Sequence, residues 1–241
     1  MGDYVARGIA YFQLQEYDKA LADFDKIIEL QPKVADVYAF RGAIYGELQN
    51  YQKAIIDFNK AIELQPKESR FYHARSSTYL SLEKYQKALE DCNQISSNSY
   101  MSHDCYGAIE QKQGRYQQAI SHYNKALDSQ DIPPDDIRAI YMKKGFIDYE
   151  QGKIPEAIDN WQKALAIETE IDLPQIKASI QLGLAVALFD NNKPEEARKI
   201  TQQALENNKQ LSNRNYRQNN TMFGEKLLSK IDTLFQNIQN N

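Results

Sequence analysis

Small and bulky apolar residues recur along this chain with the spacing of an amphipathic helix. Tyr4, Gly8 and Tyr11 stand at i, i+4 and i+7, and the same spacing returns within residues 20–27. Because an α-helix turns once every 3.6 residues, this spacing places each trio on one helix face. The pattern predicts two short helices whose backbones approach closely at small residues and whose aromatic rings fill the volume beside them.

The sequence of this helix pair is repeated along the chain. YDKALADFDKIIELQP at 17–32 and YQKAIIDFNKAIELQP at 51–66 share eleven of sixteen residues at an offset of 34. Looser copies follow and bring the count to six, with approximate bounds 1–33, 34–67, 68–99, 100–134, 135–172 and 173–206. The pattern departs at four positions, which are Ser76, Cys92, Asp148 and Thr201.

Prolines mark the helix ends. Pro32 and Pro66 should stop second helices, because proline lacks an amide donor and clashes with the preceding turn. Pro155 and Pro194 should instead lie in the first turn of second helices, where proline is well tolerated.

This period and pattern resemble the tetratricopeptide repeat family over residues 1 to about 206. The resemblance implies an all-α fold, a right-handed superhelical solenoid of about six helix-turn-helix pairs. An open end of such an array exposes apolar surface. We therefore expect a polar linker at 207–220 and a C-terminal capping helix at 221–238.

Composition narrows the class of protein. The 241 residues are 42% hydrophobic, with 29 basic and 33 acidic side chains, so no field of one sign favours nucleic acid or an anionic membrane. The longest apolar runs, such as 183–189, are far shorter than the roughly 20 residues of a membrane span. No secretory signal is visible, so we expect a cytoplasmic protein. The start at Asp3-Tyr4, already inside a repeat, suggests a fragment of a longer protein or a product that begins abruptly.

Candidate catalytic and metal-ligating residues do not form a recognisable constellation. His73, His103 and His122 fall on different helices or faces, and the sequence contains no HExxH, Cys-x-x-Cys or phosphate-binding glycine loop. We expect reduced thiols at Cys92 and Cys105, with Cys92 as a small core residue. We expect a solvated outer face on the second helices, formed in the first repeat by Asp18, Lys19, Asp23, Lys26 and Glu29. The sequence therefore predicts no enzyme activity, no cofactor and no metal.

The resemblance also implies a concave groove lined by the first helix of each pair. The family's groove positions correspond here to Val5, Ile9, Phe12, Ala39, Phe40, Ala43, Arg70, His73, Ser77, Leu80, Met101, Cys105, Met142, Lys143, Phe146, Tyr149, Leu182, Val186 and Phe189. A core role competes with a binding role for any single one of them. Collectively they make the first helix apolar on a second side, which is typical of an interaction surface. On that hypothesis, glutamate at Phe40 and Phe146 would abolish partner binding and leave the fold intact.

One kind of ligand is disfavoured. Chaperone adaptors of this family bind a C-terminal carboxylate through basic and amide side chains in three consecutive repeats. The corresponding positions here are Val5, Ile9, Phe40, Arg70 and Ala74, and of these only Arg70 is basic.

The sequence therefore predicts a non-catalytic scaffold or adaptor that binds a peptide segment or amphipathic helix of another protein. Two alternatives stay open. The chain is a regulatory or substrate-recruiting domain of a larger enzyme, or it is a self-associating module that forms homo-oligomers.

Overall fold

Helices follow the sequence repeat in the computed structural model, which describes residues 2–130, 132–169, 173–220 and 223–239. The helices are α1 (Gly2–Gln13), α2 (Tyr17–Leu30), α3 (Ala35–Glu47), α4 (Tyr51–Leu64), α5 (Ser69–Ser81), α6 (Tyr85–Cys92), α7 (Tyr100–Lys112), α8 (Tyr116–Leu127), α9 (Pro134–Glu150), α10 (Ile154–Ala166), α11 (Pro174–Asp190), α12 (Pro194–Asn207), α13 (Arg214–Asn220) and α14 (Glu225–Gln239). A 3-10 helix, Lys209–Ser212, lies between α12 and α13. The described ranges contain no strand. The predicted all-α repeat fold is confirmed.

The helices form two units, residues 1–129 and 130–241. In the first unit, α1 to α8 make four pairs, and the second helix of one pair packs on the first helix of the next. In the second unit, α9 with α10 and α11 with α12 make two pairs, and α10 packs on α11. Helix α14 packs on α11, so it lies against a first helix.

Each pair depends on one close approach between its helices. We number positions by the first repeat, so that position 8 is Gly8 and position 24 is Phe24. A Cβ atom added to Gly107 or Gly145 would lie 2.6 Å from Tyr123 or 2.5 Å from Trp161 at position 24. The missing side chain therefore provides the space that the aromatic ring fills.

The third pair solves the same packing problem differently. Its positions 8 and 24 are Ser76 and Cys92, and Cys92 forms a disulfide with Cys105 of α7. The expectation of reduced thiols was wrong for this structure, because a shorter connection brings Cys105 to a Cα–Cα distance of 5.8 Å.

The other departures from the repeat are accommodated by hydrogen bonds. Asp148 is buried and accepts a hydrogen bond from the Asn160 amide at 2.7 Å, and burial raises the pKa of this carboxyl. The Thr201 hydroxyl donates to the Ala197 carbonyl at 2.8 Å. Both polar side chains thus have the partners that buried polar groups require.

The segment 207–220, predicted as a polar linker, contains the 3-10 helix and α13. Leu211 and Arg217 are buried, and the Arg217 guanidinium donates to the Leu211 carbonyl at 2.6 Å and pairs with Asp232 of α14. This segment therefore packs against α14. Residues 221 and 222, the predicted start of the capping helix, lie outside the described residues.

The prolines act as predicted: α2 and α4 end before Pro32 and Pro66, and α10 and α12 have proline in the first turn. Among the described helices, none is both long and apolar enough to cross a membrane.

The turn inside each pair contains one residue with a left-handed backbone. It is Gln15, Gln49, Glu83, Gly114, Gly152 or Asn192, with φ between 55° and 76°. The next amide closes the turn, as where the Asn50 N–H donates to the Tyr45 carbonyl at 2.7 Å. Left-handed backbone is unfavourable for residues with a Cβ, so the turns at glutamine are less stable than those at glycine.

Replacing Gln49 by glycine should stabilise the first unit. We expect about 0.5–1 kcal/mol, since relief of the left-handed penalty exceeds the extra backbone entropy of glycine in the unfolded chain. Urea unfolding followed by circular dichroism measures it. The reciprocal change, Gly114→Gln, meets no atom within 4 Å of its Cβ and should destabilise by a similar amount. Equal stability of both variants and the parent would contradict the strain argument.

Candidate groove face and family

First helices lie side by side in the first unit, and their contacts define one surface. Arg70 of α5 pairs with Asp36 of α3 at 2.7 Å, and both occupy position 2. His73 of α5 lies 3.0 Å from Asp104 of α7, both at position 5. Positions 2 and 5 of neighbouring first helices therefore face each other, which is the arrangement that the predicted groove requires.

We call this surface the unit-1 groove face. Its predicted members are Val5, Ile9, Phe12, Ala39, Phe40, Ala43, Arg70, His73, Ser77, Leu80, Met101 and Cys105. Arg70 and Ser77 are exposed, Leu80 and Cys105 are buried, and the others are half-buried. Leu80 and Cys105 therefore belong to the core. The face is apolar in the first two repeats and carries polar and charged side chains in the third and fourth.

Phe40 has a second role that sequence reasoning missed. Its ring stacks on Phe24 of the preceding repeat, with centroids 5.6 Å apart and planes at 13°. Position 24 of one repeat thus contacts position 6 of the next. Glutamate at Phe40 would remove a packing contact as well as a groove side chain, so it is a poor test of binding.

Ion pairs between arginines and buried aspartates hold the other side of the first helices. Arg41 donates to both carboxylate oxygens of Asp57, at 2.8 and 2.7 Å, and its remaining nitrogen reaches Asp25 of the preceding repeat at 2.6 Å. Arg41 thereby joins three helices. Its pKa is raised above its ordinary value by these hydrogen bonds.

The same pairing occurs in the repeats on either side. Arg7 binds Asp23. Arg75 binds Asp91 of its own repeat and Asn59 of the preceding repeat. Asp23 is therefore buried in an ion pair, and its assignment to the solvated outer face was wrong. The sequence did contain a signal, because arginine recurs every 34 residues with aspartate sixteen residues later.

The fourth repeat replaces this ion pair with aromatic packing. Tyr106 stacks on His122 at 5.5 Å, and the ring of His103 lies 6.1 Å from that of His122. Burial, together with nearby Lys125, lowers the pKa of both histidines. Within the described residues, no group of three or more His, Cys, Asp or Glu side chains is arranged to hold a metal ion.

In the second unit, the chain itself covers the equivalent face. Phe223, just before α14, packs edge-on against Phe146 with ring centroids 5.7 Å apart. Phe146 also packs on Trp161 at 5.3 Å. Four predicted groove residues are buried in this core, which are Phe146, Tyr149, Leu182 and Val186. Their prediction as ligand-contacting residues needs correction, because they are buried in a core that includes Phe223 and α14 of the same chain. Met142, Lys143 and Phe189 remain half-buried.

Polar contacts fix α14 in this place. The Lys226 ammonium donates to the carbonyls of Tyr149 and Glu150, at 2.9 and 3.1 Å, where it complements the C-terminal end of α9. Lys230 pairs with Asp190 at 2.8 Å. Asp190 also accepts from the Tyr149 hydroxyl at 2.8 Å, and burial raises the pKa of that tyrosine well above its ordinary value.

Comparison with protein families decides the identity of the repeat. Tetratricopeptide repeat models match residues 4–34, 35–68, 69–97, 106–131 and 136–210. The chain belongs to the tetratricopeptide repeat family. This family generally mediates protein–protein interaction.

Solved structures agree with the fold. A tetratricopeptide repeat protein from Parabacteroides merdae superposes with a TM-score of 0.67 at 16% identity, over 97% of this chain and 83% of that one. The APC/C hetero-tetramer Cut9-Hcn1 gives a TM-score of 0.69 at 16% identity over 95% of this chain, which spans 42% of the Cut9-Hcn1 chain. PilF of Pseudomonas aeruginosa superposes with a TM-score of 0.56 at 14% identity, over 85% of this chain and 90% of that one. A search of curated protein sequences finds no match.

The ion pairs of this tetratricopeptide repeat chain can be tested by breaking one. Arg41→Met should destabilise the first unit by about 3 kcal/mol, because it leaves the Asp57 carboxylate, 3% exposed, without its main partner. Thermal and urea unfolding measure the loss. Lys60→Met breaks the exposed Lys60–Glu63 pair and should cost less than about 0.5 kcal/mol. Similar losses for both variants would refute a special role for the buried pair.

Because the face of the second unit is covered, glutamate at Phe146 should affect the fold, which is the opposite of what an open groove predicts. Phe146→Glu should destabilise this unit by more than about 3 kcal/mol, because it removes a buried ring and places a charge among apolar side chains. Chemical denaturation with hydrogen exchange on α11 measures it. The exposed Ile176→Glu, on the same unit, is the matched control and should leave exchange unchanged. A stable Phe146→Glu protein would mean that α14 does not pack there.

Proposed function

We propose that this protein is a non-catalytic scaffold whose unit-1 groove face binds an amphipathic helix of another protein. The family's general role in protein–protein interaction supports the class of function. The observation that carries the proposal is the position of α14 in the second unit.

Helix α14 illustrates what the groove positions of this chain accept. Leu227, Leu228, Ile231 and Leu234 are all buried, and their spacing gives α14 one apolar face. Phe223, just before α14, packs on Phe146 at repeat position 9, and Lys226 of α14 lies 5.0 Å from the ring centroid of Tyr149 at position 12. In the first unit, the same positions are Ile9, Phe12 and Ala43, and all three are half-buried.

The polar end of the unit-1 groove face limits the ligand further. Arg70 already pairs with Asp36, and His73 is within hydrogen-bond distance of Asp104, so these polar groups have partners within the protein. A ligand helix therefore gains most from apolar contact with the first two repeats. Polar residues at one end of the ligand would lie over the third and fourth repeats.

Small residues in the face suit such a ligand. Ala6, which shares repeat position 6 with Phe40 of this face, is exposed, and Ala43 is half-buried. Small side chains at these positions let a helix backbone approach closely. The proposed binding mode is therefore a helix in a groove, in which the ligand contributes apolar residues at i, i+3 or i+4, and i+7.

A display library of random helical peptides, selected against the immobilised full chain, tests this function. Enriched peptides should carry apolar residues at helical spacing. Ala6→Glu and Ala43→Glu should each weaken their binding about tenfold or more, because a charge is then desolvated at the interface. The control Ile56→Glu changes a side chain on α4 that is 64% exposed and should have no effect.

Binding that survives both alanine substitutions, with circular dichroism unchanged, would rule out this face as the binding site. A cytoplasmic location and homo-oligomer formation stay predictions. Sedimentation of the full chain at several concentrations tests the second of these.

A further inference from the structure

The connection between the third and fourth repeats differs from the others in the first unit. Helix α6 has 8 residues, whereas α2 and α4 have 14 each. In the first two repeats, position 24 precedes position 6 of the next repeat by sixteen residues, but Cys92 precedes Cys105 by 13. This junction is therefore shortened at the point where neighbouring repeats contact each other.

The disulfide occupies the place of an aromatic contact. Phe24 at position 24 stacks on Phe40 at position 6 of the next repeat. Cys92 and Cys105 occupy these same two positions two junctions further along. The covalent bond joins the two repeats where elsewhere a large ring does so.

The surroundings of the sulfur atoms are apolar and tightly packed. Cys92 is 1% and Cys105 2% exposed, and Leu80, Ile95 and Ile109 belong to the same cluster. The Ser76 oxygen lies 3.1 Å from the Cys105 sulfur and 3.5 Å from the Cys92 sulfur, and its hydroxyl donates to the Ala88 carbonyl. No bulky side chain at these three positions replaces the disulfide once it is reduced.

We propose that Cys92 and Cys105 form a redox-sensitive clip that holds the fourth repeat against the third. In the oxidised chain the clip fixes α7 and α8 relative to α5 and α6. In the reduced chain only small side chains occupy the places of Ser76, Cys92 and Cys105 within this cluster, and α7 and α8 open more often. Because His73 and Asp104 meet across the same junction, reduction also loosens the polar end of the unit-1 groove face.

The chemistry balances as ordinary thiol–disulfide exchange. The two thiols of Cys92 and Cys105 lose two protons and two electrons as the S–S bond forms, and a disulfide such as oxidised glutathione accepts them and becomes two thiols. Reduction by a dithiol or a phosphine reverses the step. Since both sulfur atoms are buried, either reaction requires the junction to open first.

The first measurement is the thiol content of the full chain. After incubation with oxidised glutathione, unfolding in the presence of iodoacetamide should label neither cysteine, and prior treatment with a phosphine reductant should make both available for labelling. Two labelled cysteines in the oxidised sample would overturn the proposal.

The second measurement is hydrogen exchange of the folded protein with and without the phosphine. Reduction should accelerate exchange in α7 by about tenfold or more, since closing a loop of this length contributes substantially to stability. Exchange in α11 is the internal control and should not change. Exchange in α7 that is the same within twofold in both states would overturn the proposal.

A matched variant separates the clip from a general effect of the reductant. Ser76→Gly, Cys92→Phe and Cys105→Ala together reproduce Gly42, Phe58 and Ala74 of the preceding junction. This triple variant should show slow exchange in α7 whether or not reductant is present. Should it fail to fold, Cys92→Ser with Cys105→Ser serves instead: it should exchange like the reduced parent in both conditions, and slow exchange in that variant would refute the clip.

Discussion

Close approach of two helix backbones is the constraint on which this repeat depends. At Gly145, any side chain would collide with Trp161, so the glycine and the ring must occur together. The ring then reaches beyond its own pair. A Cβ on Gly183, at position 6 of the next repeat, would lie 3.0 Å from Trp161, and in the first unit Phe24 stacks on Phe40 at that position. One aromatic side chain therefore closes a pair and joins it to its neighbour, which is how short-range contacts build a long array.

That constraint fixes the other sides of each first helix. With one flank packed against its partner helix, the arginine at position 7 lies where it can join three helices, as Arg41 does with Asp57 and Asp25. Charges are costly to bury unless they are paired, so this arginine is suited to one register of neighbouring repeats. The side that remains is the groove face. Except at position 6, which contacts the ring of the preceding repeat, its chemistry is free to vary because neither the ring nor the ion pair uses it.

The fold could be predicted from the sequence because its signal is repeated. A spacing of 34 residues, seen twice with eleven of sixteen identities, identifies the helix pairs. The disulfide could not be predicted the same way, since it depends on the length of the connection at 93–99, where the repeat is irregular. The ion pairs could have been predicted, because Arg7, Arg41 and Arg75 recur with the period of the repeat. The placement of α14 left none, because an amphipathic pattern shows that a helix has an apolar face and not which surface it covers.

The difference between the two groove faces has a physical reason in their side chains. In the second unit, Phe146, Tyr149 and Leu182 are large, and leaving them in water would expose much apolar area at about 25 cal/mol per Å². Packing of α14 in the second unit removes apolar area from water and so avoids that cost. In the first unit, Ala39, Ala43 and Ser77 are small, and the larger Ile9 and Phe12 are half-buried against the core, so less apolar area is left to water. A face with moderate apolar area suits the reversibly bound helix that we propose, whereas the large side chains of the second unit suit a helix of the same chain.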